Sequence, residues 1–125
     1  LAWADLGEPR RAIDYYEQRL VIAREIGDRR GEGNALGNLG NAYQNLGELE
    51  KASGYYEQQM TLARAIGDRL GEANACWNLG LLLEQQGELP RAVELMQVRV
   101  DFLRAIGHPD AEKATARVEQ IRQNR

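Results

Sequence analysis

Apolar residues recur along the chain at spacings of three and four, as in Ala12, Tyr16, Leu20 and Ala23, or Leu36, Leu39, Tyr43 and Leu46. Each such series draws one apolar stripe along an amphipathic helix, and no strand-like alternation competes with it. Gly47, Gly67 and Gly87 fall where a helix ends in a left-handed cap, and Pro9, Pro90 and Pro109 fall where the next begins and a backbone N–H has no partner to lose. Asp28 and Asp68 each follow a capping glycine, placed to accept an amide hydrogen from the first turn of the next helix. The pattern predicts helices over 9–26, 29–46, 49–66, 69–86, 89–106 and 109–123, with a helical stub before Gly7. A full-length helix of this set is roughly 27 Å long at 1.5 Å per residue. Links of two or three residues fold successive helices into antiparallel hairpins.

The pattern repeats with a period of 40: Gly7, Gly47 and Gly87 share a register, as do Ala12, Ala52 and Ala92, and residues 1–40 match 41–80 at 22 of 40 positions. A period in that range marks stacked helical units that bury their apolar faces against their neighbours. The expected fold is all-α, an α-solenoid of antiparallel hairpins forming a single domain over 1–125. Residues 1–8 read as a truncated helix stub and turn, 9–48, 49–88 and 89–108 as repeat units, and 109–125 as a capping helix, in which Lys113, Ala114 and Arg117 replace the repeat pattern. Gly40 and Gly80 stand inside predicted helices, where glycine costs roughly 1 kcal/mol against alanine. A close crossing of the hairpin partner is the expected compensation.

Composition narrows the function. The formal charge is −3, and 16 basic and 19 acidic residues are dispersed along the chain, so no concentrated basic face exists for nucleic acid. The longest apolar runs, such as Leu81-Leu82-Leu83, fall far short of a membrane span of about 20 residues. Cys76 is the one cysteine and has no internal disulfide partner, which suits a reducing cytoplasm; it occupies the large apolar position of the repeat and reads as core. His108 sits in a turn between Gly107 and Pro109, where helix capping explains it better than catalysis. Gly31-Glu32-Gly33 has neither the preceding strand nor the spacing of a phosphate loop. The reading is therefore a non-enzyme with no cofactor and no metal.

The run Leu36-Gly37-Asn38-Leu39-Gly40-Asn41-Ala42-Tyr43, followed by Gly47, Ala52 and Tyr56, resembles the tetratricopeptide repeat signature, which the next copy continues as Cys76, Leu79, Gly80, Leu83, Gly87, Ala92 and Met96. The resemblance covers essentially the whole chain. The usual repeat has about 34 residues, and the longer form found here resembles Leu-Gly-Asn repeat adaptors, kinesin light chains and arrays attached to bacterial signalling ATPases. It implies a right-handed superhelix that holds a protein segment in its concave groove. By the same resemblance the groove is lined at Asn34, Gly37, Asn38, Asn41, Gln44 and Asn45, then Asn74, Trp77, Asn78, Leu81, Glu84 and Gln85.

The residues themselves select much of this set. Asn34, Asn38, Asn41 and Asn45 form one stripe opposite much of the apolar one, and four asparagines in a helix cost about 2 kcal/mol against alanine. Each amide both donates and accepts, so a ladder of them suits a peptide backbone. The alternative is that they bond to neighbouring helices or water and only support stacking. Trp77, which replaces Gly37 in the next copy, is open to two uses, a binding anchor or packing on the following hairpin. Arg24, Arg64, Arg104, Arg29 and Arg69 read as solvated or dipole partners at helix ends, or as a rim steering an acidic segment. A carboxylate clamp for free C-termini is not supported, because only Asn41 and Asn78 match its positions and Gly37 stands where its first lysine belongs.

The function expected is a non-catalytic scaffold for a protein or peptide ligand. The alternative is a C-terminal sensor or assembly arm of a larger bacterial signalling protein, acting in autoinhibition or oligomerisation. Self-association through an uncapped N-terminal end is a third course.

Overall fold

A computed structural model describes residues 8–123. Six helices follow in order: α1 (Pro9–Ile26), α2 (Arg29–Asn45), α3 (Leu49–Ile66), α4 (Arg69–Gln85), α5 (Leu89–Ala105) and α6 (Ala111–Gln123), with no strand among the described residues. The fold class is the expected all-α hairpin repeat of an α-solenoid, with a further C-terminal helix. The stub anticipated before Gly7 lies outside the described residues.

The helix ends follow from local chemistry. Gly27, Gly47, Gly67, Gly87 and Gly107 all take positive φ, between 67° and 81°, a conformation a Cβ would strain. That turn lets the following N–H reach back to a carbonyl of the last helical turn, as Asp28 N does to Ala23 O at 2.8 Å and Asp68 N to Ala63 O at 2.9 Å. Asp28 then opens α2 by accepting the Gly31 N–H at 2.9 Å. Three helices stop one residue earlier than the pattern predicts, because Leu46, Gln86 and Ile106 already belong to the turn. The larger correction is at α6, which begins at Ala111 and not at Pro109. His108 Nδ1 accepts the Asp110 N–H at 3.0 Å and its carbonyl accepts the Ala111 N–H at 3.1 Å, so Pro109 and Asp110 are held in a turn ahead of the helix.

The described residues pack as two compact units, 8–68 and 69–123. In the first, α1, α2 and α3 are neighbours in chain order and bury Ile13, Tyr16, Leu20, Leu36, Leu39 and Leu62. In the second, α4 packs on α5 and α5 on α6, burying Val93, Met96, Val100, Leu103, Val118 and Ile121. Each such apolar side chain contributes roughly 2 kcal/mol against exposure. Cys76 is fully buried, as expected of a core position.

The two mid-helix glycines behave as anticipated. A Cβ at Gly40 would lie 2.5 Å from the Tyr56 ring, and one at Gly80 would collide with Met96 and stand 3.1 Å from the Ala92 carbonyl. In each hairpin the second helix thus comes close enough to α2 or α4 to need glycine there.

Candidate functional site

The α2 stripe divides into two groups. Asn41 and Gln44 reach the hydroxyl of Tyr56 on α3, at 2.5 Å from Asn41 Oδ1 and 2.9 Å from Gln44 Oε1. One hydroxyl carries one proton, so it donates to one amide oxygen while the other amide, turned over, presents its NH2 to the phenol oxygen. The Tyr56 ring is fully buried, and burial pushes its pKa up to about 12. These two amides therefore hold α2 to α3, although Asn41 keeps an exposed edge. Asn34 and Asn45 are exposed and Asn38 half-buried, and none of the three has a hydrogen-bond partner among the described residues.

Asn34 and Asn38 are brought together with residues of α1. Along with Gly31 and Ala35 they face Tyr15, Tyr16 and Arg19 across a cavity of about 380 Å³. The sequence reading missed this α1 wall, since the amide stripe draws attention to one helix alone. Gly37 is buried, and the Gln59 amide of α3 occupies the space a side chain would fill, with Nε2 only 2.7 Å from where a Cβ would sit. Gln59 Oε1 is buried there without a hydrogen-bond partner.

In the second unit the candidates divide in the same way. Asn74 and Gln85 are exposed and Asn78 half-buried, again without hydrogen-bond partners among the described residues. Trp77 and Leu81 are half-buried and pack against the α5–α6 cluster, and the Arg99 guanidinium lies 5.0 Å from the Trp77 ring centre. Glu84 accepts from Arg117 Nη2 of α6 at 2.5 Å. Of the two uses open for Trp77, packing on its own unit is the one the contacts support.

Two of the recurring arginines are tied into the fold as well. Arg24 Nε donates to Glu32 across the α1–α2 turn at 3.2 Å, and Arg104 Nη2 reaches Thr115 Oγ1 at 3.0 Å. Beside the first unit's core, Tyr43 and Tyr55 stack with ring centres 5.5 Å apart and Lys51 sits 5.3 Å from the Tyr43 centroid. Burial, then the carboxylates of Glu17 and Glu48, raise the Tyr43 pKa.

On α1, the face formed by Asp14, Glu17, Gln18, Val21 and Ile22 borders an open hollow of about 510 Å³. Forty residues on, the same five positions (Gly54, Glu57, Gln58, Thr61 and Leu62) border a hollow whose other wall is Arg29, Glu32 and Leu36 of α2. That wall explains why Leu62 is 6% exposed while Ile22 is 46% exposed.

Among the described residues no group of three His, Cys, Asp or Glu side chains is placed to hold a metal ion. Nor is any described helix long and apolar enough to cross a membrane. The model of one helical-repeat family, described as tetratricopeptide repeat, matches residues 1–65 and 31–105. Over 40 residues the chain is 52% identical to G-protein-signaling modulator 1 of Homo sapiens, a stretch that is 32% of this chain and 6% of that protein. The chain thus corresponds to a small part of that relative's length.

Proposed function

The chain belongs to the tetratricopeptide repeat family, and from that premise we propose that it binds a peptide or helical segment of another protein through the amide-bearing face of α2 in one unit and that of α4 in the other. A protein-interaction scaffold is what repeats of this family suggest, and helical repeats of this kind typically carry no catalysis. The observation that carries the finer reading is the set Asn34, Asn38, Asn45, Asn74 and Asn78, which lack hydrogen-bond partners among the described residues. Asparagine weakens a helix by about 0.5–0.7 kcal/mol relative to alanine, and no internal bond offsets that here. An amide that donates and accepts at once offsets it when a ligand backbone is laid across it. We place this activity in the cytoplasm, without cofactor, in a single functional array over 1–125 whose units follow the 40-residue period.

The test is selection of binders from a displayed library of random peptides, followed by affinity measurement on an Asn45→Ala, Asn74→Ala, Asn78→Ala variant of equal helicity. Loss of about tenfold or more supports the reading, since each amide–backbone bond contributes roughly 1 kcal/mol. Equal affinity for parent and variant moves the binding surface elsewhere. A second reading, assembly as an arm of a larger signalling protein, rests on the α1 face, where Val21 is 53% and Ile22 46% exposed. Sedimentation across a concentration series tests it: association abolished by Ile22→Glu supports assembly, and a monomer at every concentration refutes self-association.

A further inference from the structure

We propose that the His108 turn is a proton-operated switch that sets where α6 begins: at Ala111 while the imidazole is neutral, and at Pro109 once it is charged. Positions 28, 68 and 108 share a register in the 40-residue period, and the first two hold aspartate. After each aspartate the helix begins at once, α2 at Arg29 and α4 at Arg69, whereas after His108 it begins three residues on, at Ala111. The hydrogen bonds differ accordingly. Asp28 accepts the Gly31 N–H on its carboxylate at 2.9 Å, and its carbonyl accepts the Glu32 N–H, four residues on, at 2.9 Å. His108 accepts the Asp110 N–H on Nδ1 at 3.0 Å, and its carbonyl accepts the Ala111 N–H, three residues on, at 3.1 Å. The first arrangement opens a helix, and the second closes a turn.

The ring can hold that turn in one protonation state only. Because Nδ1 accepts from the Asp110 amide, the neutral ring carries its hydrogen on Nε2; a further proton enters at Nδ1 and turns the acceptor into a donor. The bond to the Asp110 amide is then lost, and the Asp110 carboxylate, with Oδ2 3.9 Å from Nδ1, is the partner at hand. What is released suits a helix. Pro109 has no N–H to lose at a first helical position and its φ is already helical. Asp110 would add a carboxylate to the first turn, which holds Glu112 and where the helix dipole favours negative charge. The freed amide meets water, since residues 108–110 are exposed. The C-terminal end of α5, closed by His108 N donating to Leu103 O at 2.9 Å, favours a cation, while the N-terminal end of α6 disfavours one and Asp110 offsets that. Arg104 of α5 is turned to Thr115, and neither it, nor Arg69 of α4, nor Glu112 and Lys113 of α6 has a hydrogen bond or ion pair with the ring among the described residues. A carboxylate keeps its acceptor to well below neutral pH, so of the three equivalent turns the one with histidine responds near neutrality.

The experiment follows the isotope-labelled chain by NMR from about pH 8 to about pH 5, the range in which imidazole side chains take up their proton. His108 is the one histidine, so its ring signals report the charge directly. As the ring charges, the Cα signals of Pro109 and Asp110 are expected to move to helical values. The Glu112 amide, closing on the His108 carbonyl as Glu32 does on Asp28, should gain about fivefold in exchange protection, the yield of one ordinary hydrogen bond. His108→Asp, which restores the residue of the other two copies, should give helical values at both positions across the whole range. His108→Ala, with neither an acceptor nor a proton to bind, should show no change across it. Residue 108 is exposed, so both variants keep the fold, which far-UV circular dichroism checks. Signals at 109, 110 and 112 that ignore the titration of the ring, move away from helical values, or move as far in His108→Ala overturn the switch.

Discussion

Gly40→Ala is the most direct test of how the hairpins close. In an exposed helix interior the change should stabilise by about 1 kcal/mol. At Gly40 the new Cβ would stand 2.5, 2.7 and 3.0 Å from three atoms of the Tyr56 ring. Ordinary carbon contacts begin near 3.4 Å or beyond, so ring or helix must move by close to 1 Å. The ring has no easy way out, because it is fully buried and its hydroxyl is held at Asn41 and Gln44. Overpacking of this kind costs roughly 1–3 kcal/mol, and disturbing the hydroxyl bonds adds about 1 kcal/mol. Set against the propensity gain, the net is a destabilisation of about 2 kcal/mol, or a fall of about 1 M in the urea midpoint for an m-value near 2 kcal/mol per molar. Gly54→Ala supplies the internal control, since Gly54 lies within α3 with nothing within 4 Å of where its Cβ would be. It should raise stability by up to about 1 kcal/mol. Far-UV circular dichroism in urea reads both. If Gly40→Ala matches or exceeds the parent, or if the two variants shift alike, the close-crossing account of the mid-helix glycine is wrong.

Three further outcomes are expected. Ultraviolet titration should show one tyrosine ionising near pH 12, and Tyr56→Phe should remove that step. Because the folded pKa lies above the unfolded value of 10.0, the stabilisation is complete below pH 10 and is lost as pH rises through about 12, so the urea midpoint should fall over that window. Arg99→Gln should leave the α4–α5 hairpin folded, lower stability by no more than about 1 kcal/mol and alter Trp77 fluorescence in a Trp3→Phe background; unchanged emission would refute the ring contact. Glu84→Gln should speed hydrogen exchange in α6 a few-fold, in keeping with a partly exposed ion pair worth about 0.5–1 kcal/mol, and exchange confined to other helices would argue against that link.

The helices, their caps and the glycine crossings were legible because each is a local rule repeated at a known period: an apolar stripe, a glycine after the last turn, a glycine where a helix would otherwise lose stability. Pro109 shows the limit of such rules. Proline suits a first helical position as well as a turn, and the choice was made by the His108 ring nitrogen accepting the Asp110 N–H, a contact that a one-residue pattern does not encode. The split within the asparagine stripe was hidden for a related reason. Helical period assigns Asn41 and Asn38 to neighbouring places on one face, but only α3 decides that Asn41 meets the Tyr56 hydroxyl and Asn38 does not. Arg19 was overlooked because it belongs to a different helix from the residues it joins.

Comparing the copies with one another recovers part of what was hidden. Between α2 and α4 the positions engaged internally change identity with their partners: Gly37 with Gln59 becomes Trp77 with Arg99, and Asn41 and Gln44 with Tyr56 become Leu81 against the α5–α6 cluster and Glu84 with Arg117. The positions without hydrogen-bond partners among the described residues keep the amide, Asn34 and Asn74, Asn38 and Asn78, Asn45 and Gln85. Packing accounts for the first set, since a change on one helix is matched by a change on the other. It gives no reason for the second, where alanine would make a better helix in both copies. An amide kept twice at a place with no internal use is explained by contact with something outside the fold. For that reason the Asn45, Asn74, Asn78 variant, and not one built on Asn41 and Trp77, separates ligand binding from stability: its helices should be at least as stable as the parent's while its peptide affinity falls.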